Sequence, residues 1–87
     1  MAQTITVVVR YFAAARAAAG AEEEKLQLTA GATIADLLDA VRTGHRAELS
    51  TVLDRCSYLL DEVAARDLSA PLHDGATLDV LPPFAGG

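Results

Sequence analysis

The side chains of this chain that could act on a substrate directly are one cysteine, two histidines and a pair of adjacent acids, and their spacing makes no reaction centre. A nucleophilic Cys56 needs a base to take its proton, yet His45 and His73 fall in predicted loops with no evident relation to it, so a buried free thiol is expected. Asp61 and Glu62 could form an acid/base pair only if they shared a face. Neighbours on a strand point to opposite faces, and in a turn they are solvated, so a turn is expected there. His73 reads as part of the turn Leu72-His73-Asp74-Gly75. No Cys/His spacing matches a structural zinc site, so no metal is expected. What remains is the end of the chain, Gly86-Gly87, where the reactive group would be the carboxylate of Gly87.

Such an end needs a scaffold that presents it. From Ile5 to Phe12, β-branched and aromatic residues stand on both faces, with Ile5, Val7, Val9 and Tyr11 alternating against Thr6, Val8, Arg10 and Phe12; this predicts a central strand. Ala13 to Ala19 followed by Gly20 predicts a short helix with a left-handed glycine stop. Glu22-Glu23-Glu24 reads as a solvated approach to a second strand, in which Leu26 and Leu28 face inward and Lys25, Gln27 and Thr29 outward.

Thr33 followed by Asp36 has the form of a helix-starting cap. Ile34, Leu37, Leu38 and Val41 then make one apolar stripe, and Gly44 stops the helix. A second helical piece is expected from Arg46 to Leu53, a strand from Cys56 to Leu60, and a final strand from Thr77 to Leu81 after the turn at Pro71, Asp74 and Gly75. Arg10 and Arg16, beside the first strand and short helix, suit surface salt bridges or partner recognition. This order of elements calls for an α+β fold, one main helix packed across a mixed sheet, in a single domain spanning 1–87.

Pro82-Pro83 ends the last strand, because two residues without a backbone N–H cannot continue a central ladder. Residues 82–87 then form a projecting, flexible tail. Extended, those six residues reach about 20 Å at roughly 3.3–3.6 Å each, enough to place the Gly87 carboxylate inside another protein. Gly86 gives clearance, since a residue without Cβ passes walls that a side chain would strike. Phe84, flanked by Pro83 and Ala85, is the candidate anchor in a partner's groove.

Composition narrows the partners. Twelve acidic against seven basic residues give a net charge of -5, the wrong sign for nucleic acid or an anionic membrane, and compatible with a protein that has a basic docking surface. One cysteine cannot form an internal disulfide, and the N-terminus lacks the pattern of a signal peptide, so a reducing, cytoplasmic setting is expected. No apolar stretch approaches membrane-spanning length.

Three stretches together, Val9-Arg10-Tyr11-Phe12-Ala13 with Arg16, Gly31 to Leu38, and Pro71 to Gly87 with its Pro-Pro-x-x-Gly-Gly ending, resemble the small ubiquitin-like sulfur carriers. Within that superfamily the chain is most similar to the small subunits of molybdopterin synthase. The resemblance implies a β-grasp fold and no permanently bound cofactor. It also implies an adenylating enzyme that spends ATP on the Gly87 carboxylate, and a sulfur donor protein that converts the acyl-adenylate to a thiocarboxylate. A large synthase subunit, forming a heterotetramer with the carrier, would then take up the tail and pass the sulfur to a pterin. The small subunit itself would be non-catalytic. Free-standing carriers for cysteine or thiamine-thiazole synthesis, and ubiquitin-like modifiers, share the same ending. Where many relatives have an Asn-Gly turn this chain has Asp61-Glu62, so an altered turn geometry is expected.

Overall fold

The computed structural model describes residues 3–83. Strand β1 (Thr4–Tyr11) has the burial alternation expected of its sequence, with Ile5, Val7, Val9 and Tyr11 turned to the core. Phe12 lies just beyond it as the N-cap of α1 (Ala13–Ala19), which ends on Gly20 at φ 77°, a left-handed stop that glycine adopts without a Cβ penalty.

The chain returns as β2 (Glu23–Thr29), antiparallel to β1, with Val7 opposite Leu26 and Ile5 opposite Leu28. Here the expectation of a solvated acidic approach is corrected. Glu23 and Glu24 are strand residues, and register places Glu24 opposite Val9 on the core side. Its aliphatic stem and half-buried carboxylate are tolerated because Tyr11 and His45 both donate to it.

Helix α2 (Ile34–Gly44) opens with a complete capping box: the Asp36 N–H donates to Thr33 Oγ1 at 3.2 Å and the Thr33 N–H to Asp36 Oδ2 at 2.9 Å. Two further N–H groups of its first turn, those of Ile34 and Ala35, donate to the carbonyls of Ala70 and Leu68, so the loop before β5 completes the cap. Ile34, Leu37, Leu38 and Val41 are all buried, each worth about 1.5–3 kcal/mol of transfer free energy before entropy is subtracted. Helix α3 (Ala47–Leu53) adds Leu49 and Leu53 to the same core, with Arg46 as its N-cap.

Strand β3 (Ser57–Leu60) begins one residue after Cys56 and forms a hairpin with β4 (Val63–Ala64), in which Leu60 pairs with Val63 across Asp61-Glu62. Both turn residues have positive φ, 49° and 72°, the sign that a two-residue type I′ turn requires at both positions. The altered geometry expected from the missing Asn-Gly is therefore not found. The strand pairing imposes the left-handed backbone, and Asp61 is held in it by two hydrogen bonds with Thr77, its own N–H donating to the Thr77 carbonyl and its carboxylate accepting the Thr77 N–H.

The last strand, β5 (Thr77–Leu81), lies parallel to β1 and antiparallel to β3, giving the sheet order β2-β1-β5-β3-β4. A five-stranded mixed sheet with the main helix across one face is the ubiquitin-like β-grasp arrangement. Leu78 and Val80 enter the core between Val9, Tyr11 and Tyr58. The strand that leads to the end of the chain is thus the most enclosed in the sheet, paired on both sides along its length.

Candidate functional site

Because β1 and β5 run parallel, their C-terminal ends emerge at the same rim of the sheet, and the Phe12 N–H still donates to the Val80 carbonyl there at 3.3 Å. After Leu81 the pairing stops. Pro82 is half-buried and Pro83 exposed, so the backbone leaves the rim as a stiff, fixed lead. Pro83 is the one expected partner-binding residue that falls within the described part; Phe84, Ala85, Gly86 and Gly87 lie outside the described residues.

The surface beside this exit is charged and aromatic. Arg10 on β1 stands in register with Asp79 on β5 and grips it with two bonds, Nε to Oδ1 at 2.7 Å and Nη2 to Oδ2 at 3.0 Å. Those bonds raise the Arg10 pKa further above its already high ordinary value, so the guanidinium is a fixed cation. Its Cζ lies 5.6 Å from the centroid of the Phe12 ring, and Phe12 is exposed. Arg16 pairs with Glu22 at 3.0 Å, both well exposed. Open depressions of about 310 and 330 Å³ flank Arg10, the first lined by Asp61, Glu62, Thr77 and Asp79, the second by Phe12, Arg16, Glu22 and Glu23. Both have the open form of a contact surface, and neither is an enclosed cleft that could exclude water from a reaction.

The other candidates are engaged in holding the fold. Cys56 is half-buried; its thiol donates to the Val52 carbonyl at 3.2 Å, and burial raises its pKa, the opposite of what a nucleophile needs. His45 donates to Glu24 at 2.7 Å and packs edge-on against Tyr11, whose own pKa burial raises. His73 donates from Nε2 to Asp61 Oδ2 at 2.6 Å and from Nδ1 to the Asp74 carbonyl at 2.8 Å. Neither histidine is paired with the cysteine. Among the described residues no group of three or more His, Cys, Asp or Glu side chains could hold a metal ion.

Asp61 and Glu62 sit in the turn as expected, and Arg16 makes the surface bridge expected of it. Two arrangements were not visible in the sequence. One is the Tyr11–Glu24–His45 cluster, which needs the β1–β2 register and the end of α2 to come together. The other is Asp79, which strand alternation puts on the outer face as a solvated residue, whereas it is only 5% exposed. An arginine and an aspartate at outward positions of two strands were the available signal, but only the parallel pairing of β1 with β5 sets them side by side.

This topology, with the rim exit of β5 continuous with the last residues, agrees with comparison to known proteins. The sequence model of the ThiS family matches residues 9–87. The chain belongs to the ThiS family. This ThiS-family chain is 36% identical over 83 residues to the molybdopterin synthase sulfur carrier subunit of Chlamydomonas reinhardtii, covering 93% of this chain and 98% of the relative. Its fold superposes on the SAMP1 structure of Haloferax volcanii with a TM-score of 0.84 at 28% identity, covering 94% and 99% of the two chains. It is also similar to a chain in the complex of subunits 1 and 2 of the molybdopterin-converting factor of Helicobacter pylori, with a TM-score of 0.67 at 26% identity over 95% of this chain and 100% of that one.

Proposed function

We propose that this chain is the sulfur carrier subunit of a molybdopterin synthase, with the carboxylate of Gly87 as the point of sulfur attachment. The observation that carries the reading is the match to the Chlamydomonas sulfur carrier subunit over nearly the whole of both chains. The geometry supports it: an enclosed strand, fixed on both sides, leads through Pro82 and Pro83 toward the residues that would do the work.

A carboxylate is a poor acylating agent, and adenylation by a partner enzyme with ATP supplies a good leaving group. Sulfur delivered at the sulfide level by a donor protein attacks the acyl carbon and expels AMP, leaving a thiocarboxylate at Gly87 that is ionised at neutral pH and nucleophilic. The large synthase subunit would enclose the tail, with Phe84 between Pro83 and Ala85 as its anchor and Gly86 giving clearance, and would supply the cations and shielding that the transfer needs. Assembly as a heterotetramer with that subunit belongs to the same proposal; the Helicobacter complex of subunits 1 and 2 supports a partnership of this kind. A reducing, cytoplasmic setting fits the single free thiol of Cys56.

Intact mass spectrometry after incubation with the adenylating enzyme, ATP and a sulfur donor should show one sulfur-for-oxygen exchange. Adding one residue after Gly87 should abolish it while the melting temperature stays that of wild type. An extended variant that still delivers sulfur to the pterin would overturn the assignment. The likeness to SAMP1, described for Haloferax as a small archaeal modifier protein, favours a second reading in which the same carboxylate is joined to lysines of other proteins. Mass spectrometry of protein from its own host separates the two, as a modifier appears in isopeptide-linked conjugates.

A further inference from the structure

Among the described residues Asp79 is the one charged or polar residue that the fold buries, yet it faces away from the helices. Its strand neighbours Leu78 and Val80 take the core side, and it lies over the outer face beside Leu59 of β3 and Arg10 of β1. A charged pair is a poor choice there for stability alone. Burying the Asp79 carboxylate carries a desolvation cost that its bonds to the still partly exposed Arg10 only partly offset, and an apolar pair of similar volume is often as stable or more so. The position therefore calls for a reason other than folding.

The state of Arg10 supplies one. Asp79 occupies two of the five N–H donors of the guanidinium, and the other three have no partner among the described residues. The Arg10 side chain is still 44% exposed, while its fork is fixed from one side by the carboxylate and held near the Phe12 ring at 5.6 Å. A donor group immobilised in this way loses little rotamer entropy when a further acceptor arrives. Its place also matters. Asp79 is three residues before Pro82, so a protein that encloses the chain from Pro82 onward must cover the ends of β1 and β5.

We infer that the Arg10–Asp79 pair is a recognition element for the protein that takes up the tail, its outward N–H groups meeting an uncharged carbonyl oxygen on that partner. An uncharged acceptor fits best because Glu23 and Glu62, which flank Arg10 from β2 and the β3–β4 turn, repel a carboxylate. The same two acids suit basic partner side chains around that carbonyl. The partner is the large synthase subunit, so the inference rests on the proposed function and adds the residues that select the partner.

The test uses the full chain and the large subunit from the same organism, with binding read by calorimetry and folding by thermal melting. Replacing the pair together, Arg10→Leu with Asp79→Ala, leaves no unpaired buried charge, so the melting temperature should not fall. Affinity should drop about tenfold or more, as expected for losing charge-assisted interface bonds. Arg10→Lys, which keeps the charge and loses the planar fork, should weaken binding about threefold to tenfold at an unchanged melting temperature. If both variants bind as wild type does, the pair is structural only and the inference fails. If wild type itself does not bind the large subunit, the proposed function fails, and the inference with it.

Discussion

At the scale of single residues, His73 is the side chain whose charged form the structure favours. Both of its ring nitrogens face oxygen acceptors, the Asp61 carboxylate and the Asp74 carbonyl, an arrangement that only the imidazolium satisfies at both nitrogens. The hydrogen bond to Asp61, and after it that to the Asp74 carbonyl, raises the His73 pKa above the ordinary 6.5. The Thr77 N–H, and after it His73, lowers that of Asp61 below the ordinary 3.8. A histidine with a raised folded pKa contributes stability that is fully present below 6.5 and is lost as pH rises through the raised value. For Asp61 the sign is reversed: its contribution is present above 3.8 and is lost as pH falls through the lowered value. Melting temperatures of wild type should therefore decline by more than those of His73→Gln as pH rises above 6.5 through the raised value, and the two curves should converge once the imidazolium has lost its proton. Parallel curves would show that the imidazolium contributes nothing. Tyr11 gives a second test. Its hydroxyl is buried and donates to Glu24, so Tyr11→Phe should cost about 1–2 kcal/mol in urea denaturation, with no change in fold.

At the scale of elements, the β3–β4 turn shows pairing overriding local preference. Asp61 and Glu62 both occupy the left-handed region, where a side chain costs roughly 1–2 kcal/mol relative to its preferred conformation. Asp61 recovers part of that cost through Thr77 and His73, while the Glu62 side chain makes no hydrogen bond among the described residues. Glu62→Gly should therefore stabilise the protein by about 0.5–1 kcal/mol after the greater unfolded-state entropy of glycine is subtracted. A loss of stability in denaturant titration would mean that the turn is not strained. Most elements were legible in the sequence because their signals are local. The stripe Ile34, Leu37, Leu38 and Val41, the Thr33/Asp36 cap, the Gly20 stop and the alternation of β1 each declare one element without reference to another. What was not legible depends on two elements meeting. Glu24 reads as solvated until β1–β2 register sets it near the Tyr11 hydroxyl, and Asp79 reads as exposed until β5 pairs in parallel with β1. The turn departs from its expectation for the same reason, since residue type alone does not show the strand pairing that closes over it.

For the whole molecule, the net charge of -5 becomes a kinetic property once pairing is considered. Arg10, Arg16 and Arg42 are each matched to a carboxylate, of Asp79, Glu22 and Asp54 respectively, which leaves the acidic excess to dominate the field felt by an approaching protein. Glu23 stands exposed on β2 near the rim from which the tail departs, and Asp61 and Glu62 stand exposed on the other side of Arg10, in the turn beside Thr77 at the opposite end of β5. A basic partner would thus be drawn toward the face of the sheet that carries Arg10, with Glu23 extending the acidic field to the rim of Pro82 and Pro83. Steering of this kind acts on the encounter and hardly on the docked complex, because exposed charges are screened beyond a Debye length of about 8–10 Å at physiological salt. Under the proposed function, the association rate constant with the large synthase subunit should fall on the order of tenfold between low and high ionic strength, with the dissociation rate changing far less. Reversing the sign of the patch by Glu23→Lys with Glu62→Lys should slow association at low salt and flatten its salt dependence. Stopped-flow or surface-based kinetics across a salt series reads both constants. An association rate that is indifferent to salt would show that the acidic excess serves no partner, and that the rim selects by shape and by hydrogen bonds alone.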